Sequence, residues 1–224
     1  MLLVAADAVP DQAIIVTEVG APEIDAAKAT AAVTAKRPDE YESLFDPSAF
    51  PKGGVHFSAE KGVPLGATWK VEPAAGDQEP ELVCLGRPFG YIRTERVFRD
   101  CELSFEWRYP SDANANSGVL LYPNGPDRIW PQGVQVQLHR PTAGHILPDG
   151  GIQTEKVTNG MGLELPLNEW HRCAVTCRAG NVRVAVNGRK VSEAIGCNPR
   201  SGYISIQSEG SEVHFRRIRV RLFK

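Results

Sequence analysis

An antiparallel β-sandwich is the fold class that this sequence predicts, and three observations predict it. From Ser43 onward, short runs alternate apolar with polar residues and are separated by Gly, Pro, Asn and Asp, the pattern of half-buried strands joined by tight turns. No stretch of that region carries a competing helical period. With 42% hydrophobic and 23% charged residues the composition is that of a globular protein, which argues against disorder. A chain of 224 residues fits one large all-β domain preceded by a leader, so a single core is expected.

The elements follow in order. The opening MLLVAADA pairs a short apolar run with the small-x-small triplet Ala6-Asp7-Ala8, as at the end of a signal peptide, although a basic n-region is missing. Either translation starts further upstream, and export to the periplasm or the extracellular space is then expected, or the run is only a hydrophobic N-terminus. Residues 1–40 read as a leader or tether, in which APEIDAAKATAAVTAKR is Ala-rich enough to form a helix. The main domain spans 41–224. Its expected strands are TWKVEP, ELVCLG, GYIRTE, VFRDCELSFEWRYP, SGVLLYP, GVQVQLHR, WHRCAVTCR, NVRVAVNG, GYISIQSE and VHFRRIRVRLF. Asn187-Gly188, after three valines at period two, predicts a two-residue hairpin turn with positive φ. In the last strand Val213 and Phe215 are out of phase with Ile218, Val220 and Leu222, and a β-bulge near Arg216-Arg217 would restore one inward face.

Charge and hydropathy exclude several function classes. A formal net charge of −2 gives no attraction for phosphate backbones, so nucleic acid is not the expected partner. No apolar run approaches the roughly 18 residues of a spanning helix. Cys84, Cys101, Cys173, Cys177 and Cys197 are odd in number, so at least one is unpaired within the chain. Cys173 and Cys177 lie about 13 Å apart along one strand, beyond the roughly 7 Å that a disulfide spans. They share a face with Val175 and read as buried thiols acting as small hydrophobes.

Polar groups gather in two segments. In CELSFEWRYP, Leu103, Phe105 and Trp107 alternate with Glu102, Ser104, Glu106 and Arg108, which makes Trp107 a core residue by phase. Glu106 and Arg108 then share the other face, either as ligand-binding groups or as members of cross-strand ion pairs. In GVQVQLHR, Val134, Val136 and Leu138 form the apolar set, and Gln135, Gln137 and His139 form a row of donors and acceptors that suits a sugar. The preceding loop supplies Trp130, a stacking platform for a pyranose or else a plug over the core. The following loop supplies His145 and the glycine-flanked Asp149. Arg216, Arg217, Arg219 and Arg221 of the last strand fit the solvated side of an outer strand better than an anion-binding patch.

GYIRTERVFRDCELSFEWRYP, NSGVLLYP, NEWHRCAVTCRAGNVRVAVNGRKV and GYISIQSEGSEVHFRRIRV together resemble the 3-keto-disaccharide hydrolase domain family, over nearly all of residues 41–224. The resemblance implies a concanavalin A-like (lectin/glucanase) jelly roll that binds a small sugar oxidised at C3 and cleaves its glycosidic bond. A C3 ketone acidifies the C2 proton, so a base can remove it and expel the C1 substituent before water adds. On this basis Arg93, Glu106, Arg108 and Asn116 line the pocket. The polar row and its loop add Trp130, Gln135 and Gln137 as sugar-binding groups, and the base is Glu106, His139 or His145. A divalent metal acting as Lewis acid at the ketone is an option. Gln135, and His145 near another position, stand where the family usually carries acids. A carbohydrate-binding module without catalysis on the same scaffold is therefore the alternative reading.

Overall fold

The computed structural model describes residues 40–76 and 79–223. The expected leader helix and signal-peptide end lie outside the described residues. Strands in chain order are β1 (Glu42–Ser43), β2 (Gly54–Ser58), β3 (Trp69–Glu72), β4 (Glu81–Cys84), β5 (Gly90–Thr94), β6 (Cys101–Arg108), β7 (Gly118–Leu121), β8 (Gly133–Gln137), β9 (Ile146–Asp149) and β10 (Lys156–Asn159). They continue with β11 (His171–Arg178), β12 (Asn181–Val186), β13 (Arg189–Ile195), β14 (Ile204–Ser208) and β15 (Val213–Leu222). Helix among the described residues is confined to two three-residue 3₁₀ turns, Leu65–Ala67 and Arg140–Thr142.

All pairings between these strands are antiparallel, in two sheets. One runs β10-β13-β12-β11-β6-β15-β4-β3, with β1 also on β15, and the other runs β2-β5-β14-β7-β8-β9. The predicted β-sandwich is the observed fold. A single hydrophobic cluster joins the sheets, with Ile92, Val119, Leu121, Val134, Val136, Ile204 and Ile206 from the six-stranded sheet. Leu103, Phe105, Trp107, Cys173, Val175, Cys177 and Phe215 face them from the nine-stranded one. Burial of each large apolar side chain contributes about 1.5–3 kcal/mol, and Trp107, with no accessible surface, sits at the centre of an aromatic group with Phe105 and Tyr109.

Local chemistry accounts for the details. Asn187 and Gly188 take φ values of 50° and 79°, which match the right-handed twist of the β12–β13 hairpin. On β15, Arg216 pairs with Glu106 and Arg219 with Ser104, so one extra residue is accommodated at Arg217, which has φ 52°. That bulge brings Phe215, Ile218 and Val220 to the same inward face. Four strands absent from the sequence expectation, β1, β2, β9 and β10, each pair with one strand only, whereas β13, in the interior of its sheet, was implied only as the second arm of the Asn187-Gly188 hairpin. An edge needs one partner only and so tolerates weak alternation, including Pro148 within β9.

Candidate functional site

Pleating divides each sheet into an inward and an outward face, so the sandwich has two outer faces. On the six-stranded sheet Tyr91 and Arg93 of β5, Ser205 and Gln207 of β14, Leu120 of β7 and Gln135 and Gln137 of β8 alternate with core residues. Their register sets them side by side: Ser205 lies between Arg93 and Leu120, and Gln135 between Leu120 and Leu147. Although these side chains point away from the core, Tyr91, Leu120, Gln135, Ser205 and Gln207 are each at most 4% exposed. This face is enclosed rather than solvated.

One rim is built around Asp127 in the β7–β8 loop. Its carboxylate accepts two hydrogen bonds from Arg93, at 2.7 and 3.0 Å, and one from the Tyr91 hydroxyl at 2.9 Å. Burial opposes ionisation of Asp127, but these bonds outweigh it and hold the carboxyl below the usual carboxylate range. The bidentate geometry fixes the planar guanidinium, which also lies 4.2 Å over the Tyr203 ring. Trp130 follows on the same loop and is 49% exposed, so it is not a plug over the core.

The floor is shaped by Gly118. A β-carbon there would fall 1.9 Å from Gln207 Oε1 and 3.0 Å from Gln135 Nε2, so both amides occupy the space that a side chain would take. Among the described residues, Gln207 Oε1 and Ser205 Oγ are buried without a hydrogen-bond partner. Asn116 Oδ1, Glu209 Oε2 and His145 Nε2, in the segments bordering this sheet, are in the same condition. Buried polar atoms are nearly always paired in folded proteins, and such a concentration is what a polar ligand would satisfy.

Glu209 is the titratable group that stands out. It follows Ser205 and Gln207 at period two, one residue past the end of β14, and burial, reinforced by the charge of Asp149, raises its carboxyl to about 7. Burial also raises Asp149, at the end of β9 opposite Gly133. A carboxyl group whose charge is disfavoured by burial and by a neighbouring carboxylate is a source of a base or acid working near neutrality.

The sequence-predicted residues divide between the two outer faces. Arg93, Trp130, Gln135 and Gln137 belong to the six-stranded sheet and its loops, with Asn116 and His145 beside it. The Asn116 backbone N–H donates to Ser211 Oγ at 3.1 Å. Gln137 Oε1 accepts the His139 backbone N–H at 2.8 Å, and the His139 ring lies 3.5 Å from Thr142 Oγ1. Glu106 and Arg108 do not join them. They project from the outer face of the nine-stranded sheet, where Glu106 is tied to Arg216 at 2.7 Å and to Arg217 at 3.0 Å. Arg108 is tied to Glu81 at 2.8 Å and to Asn168 at 3.0 Å. The expected convergence of Glu106 and Arg108 with Gln135 and Trp130 is therefore not what the structure has. Alternation tells which side of a strand a residue takes, not which sheet the strand joins. Arg216, Arg217 and Arg221 of the last strand likewise serve ion pairs, Arg221 with Glu102 at 2.8 Å. Glu209, Asp127 and Gln207 were not among the expected site residues, whereas Asp149 had been singled out beside His145. The period-two spacing of Ser205, Gln207 and Glu209 was the signal for the last of that row.

A possible metal-ligand triad, Glu72, Glu81 and His214, offers atoms within 4.8 Å of one another. It lies on the nine-stranded sheet, away from the enclosed face. Glu81 Oε2 already receives Arg108 at 2.8 Å and His214 at 2.6 Å, and His214 Nε2 meets Glu212 at 2.8 Å. Burial works against ionisation of Glu81, yet these bonds prevail and keep its carboxyl below the ordinary range. The guanidinium supplies the positive charge that a cation would bring, so the triad fits a metal poorly and no chemistry is derived through one.

Comparison with known proteins places this geometry. No curated protein sequence matches the chain. Among solved structures, a proposed glycosyl hydrolase from Parabacteroides distasonis superposes with a TM-score of 0.58 at 17% identity, covering 83% of this chain and 100% of that one. The Bacillus licheniformis β-glucanase follows with 0.54 at 11% identity, over 83% and 98% of the two chains. The carbohydrate-binding module CBM66 of Bacillus subtilis gives 0.50 at 9%, over 75% and 95%. These likenesses establish the jelly-roll fold. The sequence model of the 3-keto-α-glucoside-1,2-lyase-like domain matches residues 41–221, and the chain belongs to that family.

Proposed function

We propose that this protein cleaves 3-keto-glycosides at the enclosed face of the six-stranded sheet, with Glu209 as the base. Family membership supports a carbohydrate-related function, and the observation that carries the finer reading is the Glu209 carboxyl, raised to about 7 amid unpartnered buried polar atoms. The ionised carboxylate takes the C2 proton of a sugar bearing a C3 ketone to give an enolate, whose electron pair then returns to form the C1–C2 double bond and expels the C1 substituent, the leaving oxygen taking its proton from the Glu209 carboxyl or from water. Water then adds at C1. A base whose pKa lies near the working pH combines availability with driving force. The N–H donors of Gln135 and Gln207 stabilise the developing enolate oxygen or hold neighbouring hydroxyls, and Trp130 stacks on the sugar ring. Arg93, held by Asp127, adds fixed positive charge at the rim.

Product release from a chromogenic 3-keto-glucoside and from the unoxidised glucoside, by native protein and Glu209→Gln, tests this reading. Turnover of the keto substrate alone, lost in the variant, is expected. Turnover of the unoxidised substrate would instead make Asp149 and Glu209 an acid and base of direct glycoside hydrolysis. Sugar binding without turnover would favour a binding module.

A further inference from the structure

Five cysteines are buried and unpaired in this structure, and two of them stand in a relation that chain order does not reveal. Cys101 begins β6, Cys177 lies near the end of β11, and the register makes them direct cross-strand partners. Both point into the core, with exposures of 1% and 0%. Directly opposed residues of an antiparallel pair have α-carbons about 4.5–5.5 Å apart, within the roughly 4.4–6.8 Å that a disulfide spans. We propose that Cys101 and Cys177 are a disulfide-forming pair, closed when the chain folds in the presence of a small-molecule disulfide and open when it folds under reducing conditions. The Cys177 thiol, as a hydrogen-bond partner, together with burial holds the Cys101 thiol far above its ordinary range. The finished core therefore protects the dithiol, and oxidation belongs to folding, before β6 and β11 seal it.

The step balances as two exchanges. One cysteine thiolate attacks the small disulfide and releases one thiol, leaving a mixed disulfide. The second thiolate attacks the cysteine sulfur of that bond, the Cys101–Cys177 bond forms, and a second small thiol leaves. Two protein thiols are oxidised and one small disulfide is reduced to two thiols. Cys197 lies close enough for the charge of Cys177 to raise its thiol, yet it is outside the β6–β11 ladder and is not the partner assigned here. Cys173, four residues from Cys177 on the same strand, opposes Phe105.

The full chain is refolded from denaturant in a buffer of oxidised and reduced glutathione and, in parallel, in excess reductant. Free thiols are counted by alkylation after unfolding, and linked peptides are mapped without reduction. The expected result is three alkylated cysteines after oxidative refolding against five after reductive refolding, with a Cys101–Cys177 peptide and native circular dichroism in both. The oxidised form should melt about 10 °C higher, as a long closed loop predicts. Cys101→Ala and Cys177→Ala should each abolish the link, and whichever of them folds supplies the control. Five free thiols in natively refolded oxidised protein, a link through Cys197, or a link found only in misfolded material would overturn the assignment.

Discussion

Gln207 carries its side-chain amide directly over Gly118, so that Oε1 occupies a point 1.9 Å from where a β-carbon would stand. The absence of one methyl group is thus what lets two glutamines, Gln207 and Gln135, lie on the floor of the enclosed face. Gly118→Ala should displace both amides while leaving the backbone unstrained. The expected outcome is a sugar affinity lowered at least tenfold with a near-native circular dichroism spectrum, read by calorimetric titration.

Glu209→Gln should retain sugar binding and lose turnover on a 3-keto-glycoside by about 10²–10⁴-fold, the usual worth of a positioned base. In the native protein kcat/KM should fall with decreasing pH below about 7, where Glu209 becomes protonated. The variant should lack that limb, and pH–rate profiles of both check it.

The same carboxyl links pH to stability. Its folded-state value, about 7, lies above the ordinary 4.5, so the folded protein holds the proton more tightly than the unfolded chain. Stability should fall as pH rises between those values and level off above them. Melting temperatures from pH 4 to 8, native against Glu209→Gln, should show the slope in the former and a weaker one in the latter. Asp149→Asn removes a negative charge that raises Glu209 and should shift the kinetic limb to lower pH.

Glu106→Gln is expected to leave kcat/KM unchanged. Its cost should be structural, about 1 kcal/mol from weakened pairs with Arg216 and Arg217, visible as a lower denaturation midpoint in urea. A large loss of activity with normal stability would return Glu106 to the chemistry.

Trp130→Ala should weaken sugar binding about fivefold, in line with roughly 1 kcal/mol of ring contact, with no effect on thermal stability because the ring is already half exposed. Quenching of tryptophan fluorescence by sugar should diminish in parallel.

How far the sequence discloses these features depends on the range of the interaction involved. The pleat is a local property, so the core position of Trp107, the positive φ of Asn187-Gly188 and the bulge on β15 could all be read from adjacent residues. The two groups of polar residues read alike, however, because FEWR and VQVQ have the same alternation. Only the long-range pairing of β6 with β11 and β15, and of β8 with β7 and β9, sends them to opposite sides of the molecule. Glu209 was obscured for a related reason. It lies one residue past the end of β14, at the end of the expected strand GYISIQSE, and the alternation of a single strand does not show that a residue at its edge is buried.

The bulge at Arg217 has a further meaning at the level of the gene. It amounts to one inserted codon, since Arg216 and Arg219 face Glu106 and Ser104 while three steps on β15 match two on β6. Deleting Arg217 would leave both pairings in place and give uninterrupted alternation from Val213 through Val220. The strand should therefore survive this frame-preserving deletion, losing the contacts of one guanidinium to Glu79 and Glu106, whereas deleting Phe215 would remove a core residue and leave the ladder one position short.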